Sequence, residues 1–197
     1  VPVRRNPKQV GQLRLVFLSR IARKKNLLGA LRILKDVKGS VIFDIYGSLE
    51  DSSYFAECEE AMADLPANIS ATYKGSVSPD SVIATLSSYD AFFLPTLGEN
   101  FGHAILEALL AGCPVILSDQ TPWRELAERS AGFDCSLDSP AKLKNAVEAF
   151  IPMNAEEFSA WSAGARRCGV DYCSKSDLVT ATRTLFQQAL VGTGGAR

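Results

Sequence analysis

Short apolar runs alternate along the chain with longer stretches of helical period. Apolar runs at 13–19 (LRLVFLS), 41–47 (VIFDIYG), 69–75 (ISATYKG), 91–95 (AFFLP), 114–118 (PVILS) and, more weakly, 132–137 (GFDCSL) read as strands. Between them the periodicity predicts helices near 26–37, 52–63, 79–88, 103–111, 122–129 and 139–150. Asn26 is placed to cap the first of these. Ser78 and Ser139 each stand before a proline at the first helical position, which is the pattern of a helix start. Two more helices, near 155–167 and 176–190, follow with no strand after them. Nearly continuous apolar strands joined by helical crossovers belong to a parallel sheet covered on both faces. The expected fold is therefore α/β, a doubly wound parallel sheet of about six strands with extra C-terminal helices. The first dozen residues, VPVRRNPKQVGQ, read as a linker remnant, residues 13–191 as one domain, and 192–197 as a disordered tail.

Composition narrows the function classes. With 47% hydrophobic and 22% charged residues the chain is built to fold. Twenty-one Lys+Arg against 22 Asp+Glu leave a net charge of −1, so no broad field attracts nucleic acid or an anionic membrane, and any anion site must be local. No apolar run approaches the length of a membrane span and no leader pattern is present. Five cysteines, odd in number and without a CxxC pair, suggest reduced thiols in a cytoplasmic setting. Cys168 and Cys173 alone are too few to form a metal site, and the chain has a single histidine.

In an open parallel sheet, ligands bind beyond the carboxyl ends of the strands, so the loops there carry the candidate chemistry. The loop after the first strand holds Arg20, Lys24 and Lys25 just ahead of a helix, where cations, free amides and the helix dipole could together hold a diphosphate; a solvated basic loop is the plainer alternative. After the fourth strand, TLGENFG brings Gly98 and Gly102 to a helix entrance, where amides near 100–103 could approach a phosphate. Neither a GxxxxGK[ST] nor a GxGxxG pattern is present. Glu107 falls on the helix face opposite Ile105 and Leu109, with His103, Ala104 and Ala111 beside it. Small neighbours leave room for a diol that a carboxylate can accept from, although a water-facing glutamate would fit the same pattern. Glu99 suits either a dipole-favouring loop position or an acceptor for a sugar hydroxyl. The two carboxylates could also be the pair of a glycoside hydrolase, a role that depends on their separation in space. His103 suits a phosphate donor at the helix start or a packed ring.

Taken together, FLSRIARKKN and PTLGENFGHAILEALLAGCPVILSD resemble the nucleotide-sugar-binding half of the retaining GT-B glycosyltransferases of family 4, also called group 1. Glu99 and Glu107 match the E-x7-E motif of that family, Arg20 and Lys25 match its R-x4-K pair, and the likeness runs from about residue 13 to about 135. The resemblance implies a Rossmann-like domain that binds a nucleotide-diphosphate sugar without a metal or other cofactor. It implies that Arg20 and Lys25 neutralise the diphosphate, that Glu107 accepts from the ribose, and that Glu99 holds the transferred sugar. Asn100, Phe101 and Gly102 would offer amides, and His103 and Gly47 would lie at the donor. It further implies a partner acceptor domain on the N-terminal side, no nucleic-acid partner, and a cytoplasmic location with the longer protein docking at the inner face of a membrane. Ser19 and Asn26 stand where glycines are frequent in the family, YGSLED lacks a second glycine after Gly47, and Thr121 and Pro122 replace glycines ahead of Glu125. A nucleotide-sugar epimerase of the same fold and a non-catalytic binding module are the rival readings.

Overall fold

The computed structural model describes residues 7–175, so the helix expected at 176–190 and the tail at 192–197 lie outside the described residues. Six strands form one sheet: β1 (Gln12–Leu18), β2 (Ser40–Tyr46), β3 (Ile69–Tyr73), β4 (Ala91–Leu94), β5 (Val115–Ser118) and β6 (Gly132–Cys135). Every pairing is parallel and the spatial order is β3-β2-β1-β4-β5-β6. All six sequence-predicted strands are present, with ends shifted by no more than two residues. The strands of the centre have no polar face to show. Every residue of β4 and β5 is buried, as a strand covered on both sides requires.

The helices are α1 (Leu27–Leu34), α2 (Ser52–Ala63), α3 (Val82–Leu86), α4 (His103–Leu110), α5 (Pro140–Phe150) and α6 (Ala155–Lys175). Contacts of α1 with α2 and α5 form one outer layer, and contacts of α4 with α3 and α6 form the other, so the sheet is doubly wound. On β1 and β2 the residues Leu13, Leu15, Phe17, Val41, Phe43 and Ile45 fill one face of the core. Residues 7–12 are docked on the domain: the buried Lys8 ammonium donates to the carbonyls of Gln9, Gln12 and Ile151. No helix among the described residues is long and apolar enough to cross a membrane. All five cysteines are free thiols, four of them buried, and burial pushes the Cys58 thiol up to about 11.

Three expectations about helices change. Residues 122–129 are turns rather than a helix, because Glu125 takes a left-handed φ of 56° and the Leu126 amide donates to the Asp134 carboxylate at 3.0 Å instead of to a preceding carbonyl. Ser78 and Ser139 make no side-chain cap bonds, and a 3₁₀ turn at 79–81 precedes a shortened α3. The helix expected at 155–167 continues to Lys175. Asn26 does cap α1, accepting from the Gly29 amide at 3.2 Å, and it does so in a left-handed conformation with φ of 58°. That conformation suits asparagine and glycine best, which explains how asparagine can occupy this position.

The long α6 lies close on the rest of the domain because glycine faces it inward. A Cβ built on Gly164 would stand 2.2 Å from the Ser130 carbonyl oxygen and 2.6 Å from that of Arg129. Alanine normally stabilises a helix interior by up to about 1 kcal/mol relative to glycine. At Gly164 the sign should reverse, with Gly164→Ala costing about 1–3 kcal/mol of overpacking in urea unfolding; a stabilised variant would rule out this seating of α6.

Candidate functional site

The order of the strands puts β1 and β4 side by side at the point where the chain's winding reverses. Helix α1 leaves β1 into one layer and α4 leaves β4 into the other, which opens a crevice between their loops. The two loops are laced together. Asn26 Nδ2 donates to the Pro95 carbonyl at 2.8 Å, the Leu97 amide donates to the Lys24 carbonyl at 2.8 Å, and the fully buried Thr96 hydroxyl bonds the Lys24 and Gly98 carbonyls at 3.0 and 3.1 Å. A third loop joins them, since the Glu99 amide donates to the Gln120 carbonyl at 2.8 Å.

Within this frame the Lys25 ammonium and the Glu99 carboxylate form a direct ion pair, with side chains only 10% and 18% exposed. The other Glu99 oxygen accepts from the Asn100 amide at 3.2 Å, and the Phe101 amide also faces the carboxylate. Burial opposes the charge on Glu99, but the Lys25 hydrogen bond and charge together with the two amides outweigh it and hold this carboxyl below the usual range. The carboxylate thus occupies donors that sequence reasoning assigned to a phosphate or a sugar.

Arg20 stands apart from this pair. Its guanidinium is 63% exposed and donates to Glu50 Oε1 at 2.7 Å. Glu107 sits on the second turn of α4, half-buried, with no hydrogen-bond or ion-pair partner for its carboxylate among the described residues. Burial pushes its pKa up, and the charge of His103 one turn away opposes that rise. The expected faces of α4 are present: Ile105, Ala108 and Leu109 are buried while His103 is exposed. His103 packs its ring against Phe101 in a tilted arrangement, with centroids 4.6 Å apart. Gly102 enters α4 with a φ of 80° that favours glycine. Gly47 lets the β2 loop touch the β1 loop, since a Cβ there would stand 1.8 Å from the Ser19 carbonyl oxygen.

Sequence reasoning missed three residues that shape the site. Nothing local in YGSLED announces that Glu50 has a partner on the loop of the neighbouring strand β1. Trp123 donates its indole N–H to the Phe101 carbonyl at 2.8 Å, and Tyr172 of α6 packs against both the Trp123 and Phe101 rings, with centroids 4.5 and 5.6 Å away. The two aromatic side chains hold the Glu99–Gly102 loop from behind. A tryptophan in an otherwise polar turn was the available signal. Among the described residues no group of three or more His, Cys, Asp or Glu side chains is arranged to hold a metal ion.

Comparison with known proteins gives a consistent picture. The sequence model of the glycosyl transferases group 1 matches residues 3–167. Human alpha-1,3/1,6-mannosyltransferase ALG2 is 27% identical over 151 residues, which cover 70% of this chain and 36% of ALG2. A glycosyltransferase from Rickettsia africae superposes with a TM-score of 0.76 at 16% identity, covering 96% of this chain and 50% of that one. Anabaena HepE, solved with UDP and glucose, superposes with a TM-score of 0.71 at 16% identity, over 92% of this chain and 49% of HepE. At these identities the structural likeness shows the fold. The chain spans about a third of the length of ALG2 and about half that of these two solved structures.

The Lys25–Glu99 pair makes a stability prediction. Lys25→Met leaves a largely buried carboxylate without its cation and should cost about 2–3 kcal/mol, below the range for a fully buried pair, while Lys25→Met/Glu99→Gln should recover part of that loss. The exposed Arg20–Glu50 pair is worth well under about 1 kcal/mol by comparison. Because the folded pKa of Glu99 is depressed, its contribution is complete above the unfolded glutamate pKa of about 4.3 and is lost as pH falls through the lower folded value. Glu99→Gln should therefore flatten the acid limb of a denaturant-midpoint profile below about pH 4.3, and an unchanged limb would contradict the pairing.

Proposed function

Since this chain belongs to the glycosyl transferases group 1, we propose that it is the nucleotide-sugar-binding half of a metal-independent, retaining glycosyltransferase that moves a hexosyl group to a sugar or lipid-linked acceptor. The observation that carries this reading is that Arg20, Lys25 and Glu99 all stand on the loops leaving β1 and β4, beside the crevice where a doubly wound sheet binds its ligands. The partial coverage of the relatives supports a second, acceptor-binding domain as partner. Donor binding, rather than complete transfer, is the activity proposed for this chain by itself. Docking of the whole protein at the cytoplasmic face of a membrane is part of the same proposal.

The residues divide the work by charge. Arg20 and Lys25 neutralise the diphosphate on binding and stabilise the negative charge that grows on it as the sugar departs, a role a divalent metal fills in other transferases. The Lys25 ammonium, held by laced loops, needs little reorganisation at that moment. Glu107 faces a ligand that brings its own donors: a carboxylate without a resident partner can accept two hydroxyls of a ribose. Glu99 accepts from hydroxyls of the transferred sugar while keeping Lys25 oriented toward the phosphates. The entrance to α4 at Gly102 and His103 adds positive potential on the same side, while the amides of Asn100 and Phe101 hold the Glu99 carboxylate in place. Gly47 acts by allowing the β2 loop to close against the β1 loop at Ser19, next to Arg20.

Titration calorimetry with UDP, GDP and ADP and their glucose conjugates, in EDTA and then with magnesium, tests the proposal. One nucleotide series should bind with the same affinity in both conditions. Arg20→Ala and Glu107→Ala should each weaken it by about tenfold or more while unfolding stays cooperative, in line with the loss of hydrogen bonds to a charged group. Undiminished affinity in both variants would falsify the site assignment.

A further inference from the structure

Arg20 and Lys25, the two cations read as binding the diphosphate, each already have a carboxylate partner, but the two carboxylates are held in different ways. Glu99 is largely buried with Lys25, whereas Glu50 meets Arg20 in the open, with side chains 41% and 63% exposed. Glu50 does not drift there on a free loop. Beyond the ends of β1 and β2 the two backbones run on together: the Ser19 amide donates to the Tyr46 carbonyl at 3.0 Å, the Ile21 amide to Ser48 at 2.8 Å and the Glu50 amide to Ile21 at 3.3 Å. A further parallel bridge joins Ile21 to Leu49. The close approach at Gly47 brings these backbones together, so the Glu50 carboxylate is presented to the Arg20 guanidinium by main chain on both sides. The neighbouring acids have another partner, as Asp51 and Glu57 lie 3.5 and 2.5 Å from Arg23.

We infer that Glu50 is a resident counter-anion for Arg20, a tethered competitor that a diphosphate must displace to enter and that returns to Arg20 as a nucleoside diphosphate leaves. This inference rests on the reading of Arg20 and Lys25 as the diphosphate-binding cations. A carboxylate tethered beside a guanidinium is present at high effective concentration, so it weakens every ligand that needs the same guanidinium. The pair is exposed, so the competition is modest and screened by salt, and it can be overcome by a ligand carrying two or more charges. Glu50 therefore sets affinity and release at the site without touching the sugar. It is a positioning residue that acts through Arg20.

The test uses inorganic pyrophosphate together with UDP, GDP and ADP, all in EDTA, titrated into the wild-type chain, Glu50→Gln, Arg20→Gln, the double variant and Lys25→Gln. Glutamine keeps the shape and a hydrogen bond to Arg20 but removes the charge. At low salt Glu50→Gln should tighten pyrophosphate and the preferred nucleoside diphosphate about three- to fivefold, shrinking to less than about twofold at high salt. In the Arg20→Gln background the same substitution should have no effect, because the competitor then has nothing to occupy. Equal tightening in both backgrounds would mean a general field effect and would overturn the inference, as would unchanged affinity in Glu50→Gln. If Arg20→Gln and Lys25→Gln both bind the probes like the wild type, or if the wild type binds none, the diphosphate reading itself fails and this inference with it.

Discussion

Two central strands, β1 and β4, lie side by side while their helices depart into opposite layers, and everything at the candidate site follows from that arrangement. The loops leaving them have no helix between them, so their backbone groups must find partners in one another. They do so through Asn26, Thr96, the Leu97 amide and the Lys24 carbonyl. A lysine from one loop and a glutamate from the other are thereby brought into a sheltered ion pair, in which each charge offsets part of the other's cost of leaving water.

The second layer of support comes from far along the chain. Helix α6 runs back over α4 with glycines at the closest approaches and ends by setting Tyr172 between Trp123 and Phe101. Trp123 in turn holds the Phe101 carbonyl. The loop bearing Glu99 is therefore braced from the sheet side by main-chain bonds and from the helix side by aromatic packing. The same brace accounts for the lost helix at 122–129. Its turns are bent to seat an indole and to let Asp134 take the Leu126 amide, and these tertiary bonds outweigh a modest helical preference.

Two of the cations at the crevice are paired there with carboxylates. Lys25 is answered by Glu99 and Arg20 by Glu50, while Glu107 is left with an open carboxylate raised by burial. Under the proposed reading, an anionic ligand meets Arg20 by exchange with Glu50 rather than by falling into a bare positive field.

The six strands, the αβ alternation and the helix of Glu107 were readable from the sequence because apolar period, proline and turn residues act over a few positions. Asn26 as a cap was legible for the same reason. The R-x4-K and E-x7-E spacings marked the candidate site, since Arg20, Lys25 and Glu99 lie on the loops leaving β1 and β4 and Glu107 on the helix that follows β4. The sequence did not reveal which acid answers which base. Glu99 finds Lys25 across 74 positions and Glu50 finds Arg20 across 30, and those meetings depend on strand order and loop lacing. The sequence determined the elements and the chemical groups they carry, because these are local properties; only the tertiary structure decided their partners, because burial and electrostatics depend on distances in space.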